Sequence, residues 1–218
     1  MVATRREKWH KKPCAKFARQ WVWRTTKSLP VLSHPHDSLS LPSNWVRRYA
    51  PFIPKNGLVL DLACGSGRHT TFLAQLGYQV MAVDQDIGTI SQNHLPTVTA
   101  RAMNLEGEDW PLDGERFSGI VVTNYLYRPY LDRLPEMLEE GGVLIYETFA
   151  QGNAQFGKPS NPNFLLKPGE LLAFAHNQGL KVLAYEDIYE EVPKPAMVQR
   201  ICTVKGEQKG RIPLQFHG

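Results

Sequence analysis

The chain has 218 residues, of which 42% are hydrophobic, a formal net charge of +4 and three cysteines. That length and apolar content suit one domain with a sizeable core, and no apolar run approaches the roughly 20 residues of a membrane-spanning helix. Cys14, Cys64 and Cys202 form no Cys-x-x-Cys pair, which argues against a thiolate zinc site or a disulfide framework, so no metal is expected and the expected compartment is the reducing cytoplasm.

Charge divides the chain. Residues 1–30 hold nine Lys/Arg and one Glu among Trp9, Phe17, Trp21 and Trp23, whereas residues 31–218 hold sixteen basic and twenty acidic residues. A basic segment with interleaved aromatics suits phosphate contacts and base stacking, so RNA is one candidate partner. A solvated extension or an organelle-targeting peptide has the same composition. Val31–Ser43 is rich in Pro, Ser and His and reads as a linker. Residues 1–43 therefore form an extension ahead of a domain at 44–206, with 207–218 as a tail. Within the linker, His34-Pro35-His36-Asp37 has metal-binding residue types but no helical or strand frame to converge them, and is read as loop.

Asn44–Tyr49 is predicted as a short helix capped by Ser43 or Asn44 and ended by Pro51 and Pro54. Leu58–Leu62 is a strand covered on both faces, and it stops at Ala63-Cys64-Gly65-Ser66-Gly67 before a helix over Arg68–Leu76. Two glycines at a spacing of two let backbone approach a ligand, free N–H groups at the helix start favour an anion, and Asp61 supplies an acceptor of opposite character. A ligand bearing both a carboxylate and an amine is matched. Tyr78–Asp84 follows as a second strand with Asp84 at its carboxyl end, where doubly wound sheets place the partner of ribose hydroxyls, while Asp86 caps the next helix.

Val98–Met103 is the third strand, ending at Asn104-Leu105-Glu106, and Phe117–Thr123 is the fourth, running into Asn124-Tyr125-Leu126-Tyr127-Arg128. Residues 129–140 are predicted helical, kinked at Pro135 and ended by Gly141-Gly142, before a fifth strand over Val143–Phe149 that carries Glu147. The polar, irregular stretch Ala150–Leu166 reads as an active-site loop. A helix opening at Pro168-Gly169-Glu170 and closing at Gly179 leads to two final strands, Leu180–Tyr185 and Met197–Val204. The alternation predicts an α/β fold: a doubly wound, mostly parallel seven-stranded sheet closed at one edge by an antiparallel hairpin.

A dinucleotide fold wants a third glycine where this chain has Thr70, which weakens a nicotinamide reading. Asp61-x-x-Cys64-Gly65-x-Gly67, with Asp84 after the second strand and Gly141-Gly142 before the fifth, resembles class I S-adenosylmethionine-dependent methyltransferases over residues 44–204. Within that superfamily the chain looks most like small bacterial enzymes of the tellurite-resistance type. The resemblance implies that Asp61, Gly65 and Gly67 hold the methionine moiety of S-adenosylmethionine, that Asp84 meets the ribose, and that Asn104 and Leu105 meet the adenine. It also implies that Asn124 and Tyr125 border the methionine end and the acceptor.

Methyl transfer is an in-line displacement in which the cofactor supplies reactivity and the protein supplies alignment. A hydroxyl or ammonium acceptor needs a base, for which Glu147 and then Tyr127 are placed; a thiolate or oxyanion needs none. Arg68, Tyr127, Arg128, Asn153 and Asn161 are the candidate acceptor contacts. Asn124-Tyr125-Leu126-Tyr127 lacks the prolines of the Asn-Pro-Pro-Tyr loop of enzymes acting on nucleobase or glutamine amines, which disfavours an exocyclic amine. The expected acceptor is a small molecule; the alternatives are RNA engaged through residues 1–30 and a catalytically silent S-adenosylmethionine-binding module.

Overall fold

The computed structural model describes residues 41–55, 57–91 and 95–207, all within the unit His34–Gly218. The basic segment 1–30, Cys14 and the His34–Asp37 tetrapeptide lie outside the described residues.

Seven strands form one sheet in the order β3-β2-β1-β4-β5-β7-β6. They are β1 (Leu58–Leu62), β2 (Gln79–Asp84), β3 (Val98–Ala102), β4 (Phe117–Thr123), β5 (Leu138–Phe149), β6 (Leu180–Glu190) and β7 (Ala196–Lys205). Strands β1 to β5 pair in parallel, and β7 runs antiparallel between β5 and β6. The expected fold class and edge hairpin are both present. Strand order reverses between β1 and β4, and in such sheets the crevice beyond the carboxyl ends at that point is where ligands bind.

Alternating side chains give the sheet two covered faces. Leu60, Leu62, Ile120 and Leu144 pack under α4 (Arg133–Met137) and α5 (Glu170–Asn177), with Leu134, Met137, Leu171 and Phe174 facing them. Val59, Val121, Val143 and Ile145 pack under α1 (Asn44–Tyr49) and α2 (Arg68–Gln75), with Trp45, Val46, Tyr49 and Leu73 facing them. Helix α1 starts where Ser43 Oγ accepts the Trp45 and Val46 N–H groups, satisfying donors that a helix start leaves open. It is fixed to β7, the strand next to the edge, by Trp45 Nε1 donating to the Ile201 carbonyl at 3.3 Å. The buried Tyr78 hydroxyl donates to the Ala50 and Ile53 carbonyls at 2.8 and 3.0 Å, pinning the turn after α1 beside β2.

Three expectations change. The predicted helix over 129–140 is a 3-10 turn at Arg128–Tyr130 and the five-residue α4, after which the chain is already in β5 at Leu138. Gly141, at φ 79°, lies within that strand, where the β4 register slips between Phe117 and Gly119, so the glycine pair bends a strand and ends no helix. The hairpin strands are longer than predicted, because β6 continues through Ile188 and Tyr189 as an edge strand paired to β7. The Ala150–Leu166 loop is tied at its ends by a bridge between those two residues and holds two 3-10 turns, Asn153–Gln155 and Pro162–Phe164.

Candidate active site

The corner after β1 turns through left-handed backbone at alternate residues: Ala63 at φ 55°, Gly65 at 54° and Gly67 at 81°. A Cβ on Gly67 would lie 2.6 Å from Ile90 Cγ1, so α2 seats against α3 (Gly88–Ser91) only because that position is bare. A Cβ on Gly65 would meet nothing within 4 Å, so this glycine answers the backbone conformation and leaves its surroundings open. Ala63 adopts the same region with a side chain, a strain of about 1–2 kcal/mol of the kind that gathers at functional corners.

Asp61 is 1% exposed. Its Oδ2 accepts from the Thr70 hydroxyl at 2.5 Å, and its Oδ1 is buried with no hydrogen-bond partner. Burial pushes its pKa up to about 7, against the lowering effect of Thr70. Thr70, read from the sequence only as a missing glycine, is therefore the residue that orients the carboxylate. At the end of β2, Asp84 takes the Gly65 N–H on Oδ2 at 2.8 Å and the Asp86 N–H on Oδ1 at 3.2 Å, which locks the glycine corner to the second strand. Asp86 Oδ1 accepts from Gly88 N–H at 2.8 Å, the capping role expected of it. Asn104 Oδ1 accepts from Glu106 N–H and from Gln85 Nε2, so Asn104 stands beside the residue that follows Asp84. Leu105 is buried, and its carbonyl accepts the Tyr125 hydroxyl at 3.2 Å.

His69, next to Arg68 at the start of α2, packs at the mouth of that helix. Its Nε2 accepts the Ser43 N–H at 3.1 Å, so the ring proton sits on Nδ1 and donates to Thr123 Oγ1 at 3.2 Å. Burial drives its pKa down to about 3, and the neutral ring fastens the start of α1 to α2 and to the carboxyl end of β4. The sequence signal is its place on the inward stripe of α2 with Leu73, four residues on.

Beyond Asn124, at φ 55° with its N–H on the Glu147 carbonyl, opens a cavity of about 290 Å³. Its walls come from residues 41–47, from β5 and β7, from the loop after β5 and from the tip of the β6–β7 hairpin. Arg68, Asn124, Glu147 and Asn153 all line it. Asn153 is 2% exposed and braces the wall, donating from Nδ2 to the Pro159 carbonyl and accepting the Met197 N–H. Glu147 Oε2 accepts from Arg200 Nη1 at 3.0 Å, and Arg200 also meets Glu186 at 2.8 Å and Glu190 at 3.2 Å. Arg200 shares one buried face of β7 with Val198 and Cys202, and a charge in that alternation signals partners on the neighbouring strands.

The structure does not bring Tyr127, Arg128 or Asn161 to this cavity. The Tyr127 hydroxyl points to the Glu106 carbonyl, and its ring packs 5.4 Å from Tyr130. Arg128 donates to both Glu170 oxygens and to the Asn163 and Leu165 carbonyls, which makes it a strut between loop and α5. Asn161 caps a 3-10 turn through the Asn163 N–H. Cys64 is buried and burial pushes its thiol pKa up, so it is an inert small residue. Among the described residues no cluster of His, Cys, Asp and Glu could hold a metal ion.

The site thus combines a parallel sheet that reverses between β1 and β4, a buried Asp61 carboxylate oxygen without a hydrogen-bond partner, and a second carboxylate, Asp84, ending β2. Residues 59–142 match the methyltransferase domain family Methyltransf_25. Similar solved structures carry the same fold. TehB from Haemophilus influenzae is 19% identical with a TM-score of 0.62 over 78% of this chain, which spans 64% of TehB. The 1,6-didemethyltoxoflavin-N1-methyltransferase from Burkholderia thailandensis, solved with 1,6-didemethyltoxoflavin and S-adenosylhomocysteine, is 18% identical with a TM-score of 0.59, covering 79% of this chain and 80% of its own. The glycopeptide N-methyltransferase MtfA, complexed with S-adenosylhomocysteine, is 19% identical with a TM-score of 0.52, covering 73% and 88% respectively. A search of the curated proteins finds no match.

Proposed function

We propose that the chain transfers the methyl group of S-adenosylmethionine to a small molecule bound in the cavity beside Asn124. The observation that carries this reading is a partly open cavity of about 290 Å³, near the lower end of the usual small-ligand range, lined by five separate segments at the carboxyl end of β4 and β5.

The residues fit the cofactor on one test above all. Asp61 Oδ1 is a buried acceptor without a donor, and the ammonium of the methionine moiety is the donor it lacks. Gly65 and Gly67 would border the same moiety, Asp84 would receive the ribose hydroxyls, Asn104 and the Leu105 backbone would meet the adenine, and Asn124 with Tyr125 would border the sulfonium. Bound there, the cofactor supplies an electrophilic methyl carbon and a neutral thioether leaving group.

The chain's own work is positional. The Ser43–His69–Thr123 links hold residues 41–47 as one wall, which keeps water from the reacting centre. Glu147, paired to Arg200, orients a donor group of the acceptor through its carboxylate and receives the proton when the acceptor is a hydroxyl or an amine.

The test is release of S-adenosylhomocysteine by the full chain across small thiols, amines, carboxylates and oxyanions, with bulk tRNA as the competing arm. Turnover with a small molecule supports the reading, and turnover with tRNA alone overturns it.

A further inference from the structure

The charges around the cavity are sorted. Glu147 and Glu190 are the two carboxylates in its lining, and both are engaged by Arg200, at 3.0 and 3.2 Å. Arg47, Lys158 and Lys194 also line it, all three exposed, and none of them is in an ion pair among the described residues. Lys158 and Lys194 belong to facing loops: Lys194 Nζ lies 3.8 Å from where a Cβ on Gly157 would stand. Arg47 reaches the same space from α1. The basic mouth is not a sample of the general surface, because residues 31–218 carry four more acidic than basic residues. Three cations from three separate segments, none in an ion pair among the described residues, surround one cavity of a net acidic body and focus a positive potential on what enters. The lining also includes the apolar side chains Phe149, Phe156 and Val198.

We propose that the methyl acceptor is an organic anion, with a carboxylate or phosphate held at the mouth by Arg47, Lys158 and Lys194 and an apolar body reaching inward to Asn124 and Glu147. The proposal rests on the methyltransferase reading of the same site. Ammonium and guanidinium groups make their shorter, stronger hydrogen bonds to such anions, and each of the three brings donors and a full charge. Asn124 and the Arg200-paired Glu147 meet the opposite end of the acceptor, so the anion stays at the three cations and the group to be methylated faces Asn124.

The experiment is calorimetric titration of the full chain, at low ionic strength and saturated with S-adenosylhomocysteine, using malonate in one arm and inorganic phosphate in the other. Wild type is compared with the Lys158→Ala/Lys194→Ala double variant, whose substituted side chains are exposed and whose fold is checked by its affinity for S-adenosylhomocysteine. Saturable binding of malonate or phosphate to wild type, weakened roughly tenfold or more in the double variant, is expected. Preference for malonate assigns a carboxylate acceptor, and preference for phosphate assigns a phosphorylated one. Absence of saturable binding by both anions, or equal affinity in the double variant, overturns the proposal. Failure of wild type to bind S-adenosylhomocysteine would instead overturn the methyltransferase reading and is read out separately, before either anion is added.

Discussion

Asp61 has one oxygen on the Thr70 hydroxyl and the other on nothing, in a site where burial raises its pKa from 3.8 to about 7. A carboxyl whose folded pKa lies above its unfolded value binds its proton more tightly when folded. The unliganded protein therefore loses stability as pH rises from about 4 to about 7, by up to about 1.4 kcal/mol per pH unit, and the loss stops above that window. A bound ammonium favours the ionised form, so cofactor binding below pH 7 must release a proton. Calorimetry with S-adenosylhomocysteine should show affinity climbing by up to about tenfold per pH unit toward pH 7 and levelling off beyond it. Asp61→Asn should flatten that dependence. Asp84→Ala should weaken cofactor binding with the fold retained, since it removes the proposed ribose partner and the acceptor of the Gly65 N–H together; unaltered affinity would rule out the ribose role. At Ala63, glycine relieves the left-handed backbone, so Ala63→Gly should raise stability by up to about 1 kcal/mol in denaturant unfolding.

The elements around the site are held by single side chains that bridge several of them. Arg128, after β4, makes two bonds to Glu170 of α5, whose pKa it holds down against its burial, and two more to the Asn163 and Leu165 carbonyls of the loop after β5. Arg128→Ala should cost about 1–3 kcal/mol in denaturant melts and leave S-adenosylhomocysteine affinity within error, because this strut lies away from the cavity. Arg200 is the opposite case. Its side chain is 9% exposed, and replacing it by methionine strands the equally buried Glu147, so Arg200→Met should cost about 3–5 kcal/mol. The strands were legible where apolar runs met clear stops, as at Leu58–Leu62 and Phe117–Thr123. The stretch 129–140 was misread because Leu131, Leu134 and Leu138 have helical spacing, while sheet pairing of Leu138 with Phe117 decides the outcome.

At the scale of the molecule, the fold class and the glycine corner could be read in advance, because chain-local patterns encode both: buried runs, turn residues and an acidic residue at a strand end. The partners that complete the site were not legible, since they join residues far apart in sequence. Ser43 to His69 spans 26 positions, Trp45 to Ile201 spans 156, and Glu147 to Arg200 spans 53. Thr70 shows the limit most clearly, for the residue that argued against one cofactor class turned out to hold the carboxylate that suits another. The central claim is that this corner holds S-adenosylmethionine, and thermal unfolding of the full chain with and without S-adenosylhomocysteine tests it most directly. At one hundred times its dissociation constant the ligand should add about 2.7 kcal/mol, read as a rise in Tm that Asp61→Asn diminishes. A Tm that does not move at any ligand concentration would contradict the account.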